Sequence, residues 1–98
     1  MSSGDVVLER SVRIVNRLGM HARPAAEFVK LAGRFRAEIR VEKEGLEVDG
    51  KSIMGVLMLA AEHGSELIIR AEGHDAGDAL EALCELVIGG FHDVYEEY

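Results

Sequence analysis

Residues 37–42 read Ala-Glu-Ile-Arg-Val-Glu, a strict alternation of apolar and charged side chains. A two-residue period of this kind fits only an extended strand, with Ala37, Ile39 and Val41 on one side and Glu38, Arg40 and Glu42 on the other. One face is buried and the other is wet. Strands of a parallel sheet are covered on both sides and read as continuous apolar runs, so the pattern points to an antiparallel sheet with a single covered face. Similar alternation over residues 7–14, 46–49 and 66–71 predicts three further strands. Glu44-Gly45 then forms the tight turn between the second and third strands.

The segments between the strands change to a helical period. Residues 21–32 carry Ala25, Phe28, Val29 and Ala32 as an apolar stripe closed by Gly33. A second helix is expected from the N-cap Ser52 to a stop near Gly64. A third starts near Asp75, carries Ala76, Ala79, Leu80, Leu83 and Val87 on one face, and ends at Gly89-Gly90. The order is β-α-β-β-α-β-α. The expected fold is an α+β open-faced β-sandwich, a four-stranded antiparallel sheet with three helices on one face, and 98 residues suffice for one such domain. The second helix is too apolar for one interface. Ile53, Met54 and Leu57 lie on one side of it, and Val56, Leu59 and Ala60 lie roughly opposite. One set fills the core and the other leaves an exposed apolar patch with Lys51 at its edge.

The chemistry concentrates in Leu18-Gly19-Met20-His21-Ala22-Arg23-Pro24-Ala25-Ala26. This run places an imidazole, a guanidinium and the only proline at a helix start. Amides at a helix N-terminus point outward and carry part of the positive end of the helix dipole, so an anion attached to His21 is stabilised there. Arg23 adds a planar fork suited to phosphate oxygens, and Pro24 suits a first helical turn, where an N–H has no intrahelical partner. The charge distribution agrees. Residues 1–41 carry eight Lys/Arg against four Asp/Glu, a net +4, and residues 42–98 carry three against fourteen, a net −11, which together make the overall −7. The candidate site therefore lies in the basic part of an acidic chain, which suits an acidic protein partner. Net repulsion and the absence of interleaved aromatics argue against nucleic acid. No segment has the length of a membrane span or the pattern of a secretory signal, and the single Cys84 allows no internal disulfide, so a cytoplasmic location is expected. His63, His74 and His92 have no metal-ligand spacing and read as solvated surface residues, with no metal or other cofactor expected. Cys84 reads as a small buried hydrophobe.

Met20-His21-Ala22-Arg23-Pro24-Ala25-Ala26, with Lys51-Ser52-Ile53-Met54-Gly55-Val56-Leu57 at its distance, resembles the HPr family, the histidine-containing phosphocarriers of the bacterial phosphoenolpyruvate-dependent sugar phosphotransferase system. The resemblance covers residues 7–90, leaving residues 1–6 as an N-terminal extension and 91–98 as a tail. It implies that His21 accepts phosphate on Nδ1 from phosphorylated enzyme I and passes it to enzyme II A-type proteins, as a stoichiometric monomeric carrier rather than an enzyme. It further implies that Arg23 clamps the phosphate, that Pro24 starts the helix, and that Ser52 is a regulatory serine for an HPr kinase/phosphorylase. Ala26, Ile53, Met54 and Leu57 match the family's docking patch, with Lys30 and Lys51 as basic neighbours. A nitrogen-type regulatory phosphocarrier has the same fold and histidine. The rival class is an ACT-like small-molecule-sensing domain, which predicts no phosphohistidine.

Overall fold

The computed structural model describes residues 6–92, so the rest of the expected extension and tail, residues 1–5 and 93–98, lies outside the described residues. Four strands, β1 (Val7–Arg13), β2 (Glu38–Lys43), β3 (Leu46–Asp49) and β4 (Glu66–Glu72), alternate with helices α1 (Ala22–Ala32), α2 (Ile53–Met58) and α3 (Ala76–Ile88) in the expected order, with a short 3-10 turn over Gly90–His92 at the end. All strand pairs are antiparallel, and the spatial order is β1-β4-β2-β3. The period-two pattern is realised in β2 and β4, the two inner strands, whereas β1 buries only Val12 and β3 only Val48, and Val7, Leu8 and Leu46 stay exposed. Val12, Ile39, Val41, Leu67, Ile69 and Ala71 turn inward and are buried, and three helices cover them. α3 lies against β1 and β4, α2 against β3, and α1 packs on both α2 and α3.

The open face is held by charge. Arg70 on β4 donates to Glu9 on β1 at 2.9 Å, to Glu42 on β2 at 2.7 Å and to Glu47 on β3 at 2.9 Å. One guanidinium thus ties its own strand to the other three, which is possible because Arg70 occupies an outward position on an inner strand. Lys43 and Leu46 are paired across the β2–β3 hairpin, and Glu44 (φ 51) and Gly45 (φ 88) between them are both left-handed, as a primed two-residue turn requires.

α1 buries Pro24, Ala25, Phe28 and Ala32, with Val29 half-buried beside them. Full burial of Phe28 alone contributes about 2–3 kcal/mol. α3 buries its predicted face together with Cys84 and Leu86, and burial pushes the Cys84 thiol up from its ordinary range. Phe91, in the expected tail, is buried in the same core.

α2 departs from the sequence expectation. The apolar run predicts a helix as far as a stop near Gly64, yet α2 ends at Met58. Leu59 and Ala60 donate to Val56 and Leu57, three residues back, and Ala60 is left-handed at φ 49. The demands of the next segment end the helix early. Ala61 must be buried, and the Gly64 amide must reach Ile14 O at 2.8 Å to lead into β4, so the chain turns away before another helical turn can form. Lys43 meets the frayed end, its ammonium donating to the carbonyls of Leu59 at 3.2 Å and Ala60 at 3.4 Å.

Asp75 also behaves differently from a simple helix cap. Its side chain makes no bond to α3 and instead accepts from the backbone amides of Arg36 at 2.9 Å and Ala37 at 2.8 Å, fastening the entry to β2 to the start of α3. Those amides, Arg36 first, hold the carboxyl below the usual carboxylate range. Because the folded pKa is depressed, the stabilisation is present above the unfolded value of about 3.9 and is lost as pH falls through the folded one. We expect Asp75→Ala to unfold at lower urea than the wild type at pH 7, with the gap narrowing below about pH 4. Midpoints across a pH series check this, and a gap that stays constant into acid is the contrary result.

Candidate functional site

The chain enters the site through a turn with little freedom. Asn16, buried at the end of β1's inward series, donates from Nδ2 to Gly19 O at 2.7 Å, and Gly19 N–H returns to Asn16 O at 3.2 Å. Asn16 Oδ1 is buried with no hydrogen-bond partner among the described residues. Gly19 is left-handed at φ 73, and a Cβ there meets Ala61 O at 2.6 Å and Glu62 Cα at 2.9 Å, so no other residue fits without a backbone shift. The next amide, Met20, donates to Ala61 O at 2.8 Å, and the Met20 side chain is buried. His21 comes directly after it.

His21 is the N-cap of α1, extended at φ −80 and ψ −171, and its carbonyl accepts the first helical bond from Ala25 N–H at 2.9 Å. The imidazole makes no side-chain cap bond to the helix and is half-buried. The first-turn amides that point out of this end belong to Ala22 and Arg23, since Pro24, third in the helix, has none. No acidic residue lies in that turn to offset the positive end of the dipole. Arg23 is exposed, Pro24 is buried, and Ala26 and Lys30 lie exposed along the same helix. The arrangement can hold a nucleophilic nitrogen and stabilise an anion on it. Among the described residues no group of His, Cys, Asp and Glu is suited to a metal.

Ser52 is the N-cap of α2, where its Oγ accepts from Gly55 N–H at 3.1 Å. A Cβ on residue 55 meets Asp49 O and Val48 Cβ at 3.3 Å and Ser52 Oγ at 3.4 Å, so glycine lets α2 start close against β3. Lys51 is bound from two directions, its amide donating to Asp49 Oδ1 at 2.9 Å and its ammonium to Phe35 O at 2.7 Å. That lysine joins the start of α2 to the segment after α1. The division of α2 into two sides holds, with Val56 and Leu59 buried and Ile53, Met54 and Leu57 exposed, although Ala60 is exposed rather than opposite them in the core.

Two apolar residues extend the exposed patch beyond the sequence expectation. Met58, 65% exposed, stands one turn from Met54 on the same side, a spacing that is legible in the sequence. Leu18, 61% exposed, lies in the irregular turn before His21, where no periodicity signals it. Asn16 carries no sequence signal either. The structure brings the two motifs to one region, because the Met20–Ala61 bond stitches the His21 loop to the chain just past the end of α2 while Ser52 caps its beginning. Six helical residues place those two ends about 9 Å apart. His63, His74 and His92 are exposed. No helix among the described residues is long and apolar enough to cross a membrane.

The comparisons with known proteins agree with this geometry. The family model described as the PTS HPr component phosphorylation site matches residues 8–88. The phosphocarrier protein HPr of Cupriavidus necator is 42% identical over 85 residues, which covers 87% of this chain and 96% of the relative. That of Pseudomonas aeruginosa is 47% identical over 83 residues, covering 84% and 92%. The crystal structure of a phosphocarrier protein HPr from Bacillus anthracis superposes with a TM-score of 0.81 at 46% identity, over 84% of this chain and 98% of that one. An ACT-like domain is thereby set aside. Fold, motif spacing and relatives converge, and the chain belongs to the HPr family of phosphocarrier proteins of the phosphotransferase system.

Proposed function

We propose that His21 is the phosphoryl acceptor of this carrier, receiving the group from phosphorylated enzyme I and delivering it to enzyme II A-type proteins. The reading is carried by one observation, the imidazole standing at the N-cap of an eleven-residue helix with no acidic residue in its first turn and Arg23 two residues on. Nδ1 attacks phosphorus as the donor's N–P bond breaks, and the electron pair of that bond returns to the donor imidazole. The new phosphate is met by helix-end amides and a guanidinium, and neither requires a metal or a cofactor. The exposed Ile53, Met54 and Leu57, with Ala26 nearby on α1, form the docking surface, and Lys30 and Lys51 steer acidic partners toward it. The protein works in the cytoplasm as a monomer, and it turns over no substrate of its own.

Ser52 is the regulatory position in this reading, phosphorylated by an HPr kinase/phosphorylase. A phosphate there adds nearly two negative charges at a helix start, which the dipole tolerates, yet it lies beside an apolar surface meant for an acidic partner. Loss of docking by 2–3 kcal/mol, roughly 30- to 150-fold, is the expected scale.

Three outcomes test the proposal. His21→Ala loses all acid-labile phosphate while its circular dichroism is unchanged, since His21 gives α1 no side-chain cap bond; phosphate retained by the variant refutes the assignment. Arg23→Glu slows uptake from enzyme I far more than it alters stability, because an exposed charge contributes only about 0–1 kcal/mol to folding. The defect deepens at low salt, and wild-type rates there count against the clamp. Ser52→Asp keeps a capping oxygen for Gly55 N–H, so it melts with the wild type but accepts phosphate slowly, whereas Ser52→Ala loses about 1 kcal/mol of stability and little activity. An undiminished rate for Ser52→Asp reduces Ser52 to a cap.

A further inference from the structure

We propose that Asn16 is a positioning residue for phosphoryl transfer, locking the 16–19 turn so that the His21 imidazole is presented in one orientation. The proposal rests on the reading of His21 as the acceptor. Asn16 is the one buried polar side chain among the described residues, 6% exposed. It continues the inward series Val12 and Ile14, whose members fill the core, so the fold itself calls for an apolar residue at this position. Retaining an amide there leaves Oδ1 buried without a hydrogen-bond partner among the described residues. The Asn16 side-chain hydrogen bond among the described residues goes to the turn that leads into His21.

What the amide supplies is the 2.7 Å bond from Nδ2 to Gly19 O, which closes the turn a second time across the backbone bond from Gly19 N–H to Asn16 O. The far side of the turn is held by Met20 N–H on Ala61 O, and the left-handed Gly19 lies against Ala61 and Glu62. With both ends fixed, His21 has little freedom to swing. Without the Asn16 side-chain bond the turn keeps its backbone bonds, Gly19 N–H to Asn16 O and Met20 N–H to Ala61 O, but loses the tie on Gly19 O, and the backbone that carries His21 is freer to shift. Asn16 touches neither phosphorus nor nitrogen in the reaction. Its effect is on how often Nδ1 lies in line with the donor's N–P bond, and small misplacements of reacting groups are costly, about 100-fold for 1 Å.

The test uses the full chain, with Asn16→Ala and the isosteric Asn16→Asp, loaded from phosphorylated enzyme I in rapid-quench experiments beside wild type and His21→Ala. A positioning role predicts that enzyme I's kcat for loading the variant falls about tenfold or more while its KM for the variant changes far less, because the α2 part of the apolar surface is untouched and only Leu18 lies in the loosened turn. A merely structural role shifts the melting temperature and leaves kcat alone well below it. Wild-type kcat in either folded variant overturns the proposal. Should neither variant fold, 15N NMR of the wild type decides, since the Asn16 side-chain amide protons are expected to exchange slowly and to shift when His21 is phosphorylated; rapid exchange with no shift overturns it. If the wild type takes up no phosphate on His21, the acceptor assignment fails as well. If it loads normally and the Asn16 variants keep pace, only the positioning role falls.

Discussion

Burial of one face of the sheet is the constraint on which the rest of the molecule depends. Ile39, Val41, Leu67, Ile69 and Ala71 are removed from water together, and only a layer of helices on that side can do it. With the helices confined to one layer, their ends are brought to the rim of the sandwich, where the loops meet. The His21 turn is seated there by Ala61, and the start of α2 is anchored against β3 and Phe35. The other face is bridged by Arg70 and its three glutamates.

The site is assembled from helix ends, and each end is completed by groups from elsewhere in the chain. Amides of α1 face the His21 end, Ser52 closes the start of α2, and Lys43 from β2 caps its frayed carbonyls. Asp75 performs the same service between α3 and the β2 entry. These polar contacts are few but they lie at the junctions, so they govern direction more than overall stability.

Much of the fold is legible in the residues. The alternation of Ala37 to Glu42 carries the sheet and its single wet face, and the Glu44-Gly45 turn comes from residues that accept positive φ. The two motifs carry the family. Helix length is less legible, because Leu59, Ala60 and Ala61 are all good helix formers and the reason the helix stops at Met58 is a tertiary demand from Ile14 and Met20. Strand order is invisible to local pattern, because β4 pairs with β1 and with β2, segments far from it in sequence, and α3 packs across β1 and β4. Leu18 escapes notice because it belongs to no periodic segment, and Asn16 because a polar residue at the end of the Val12, Ile14 series reads as the end of the strand pattern; Asp75 looks like a helix cap although its carboxylate serves another part of the chain.

The shortness of α2 has a consequence for recognition. Six residues make fewer than two turns, far below the length at which a helix persists in water, so Ile53, Met54 and Leu57 share one surface only while β2, β3 and α1 hold the helix in place. In an unfolded or proteolysed chain the same residues are merely a flexible apolar peptide. A partner that grips this helix, on the proposed reading, therefore inspects the integrity of the whole domain each time it binds.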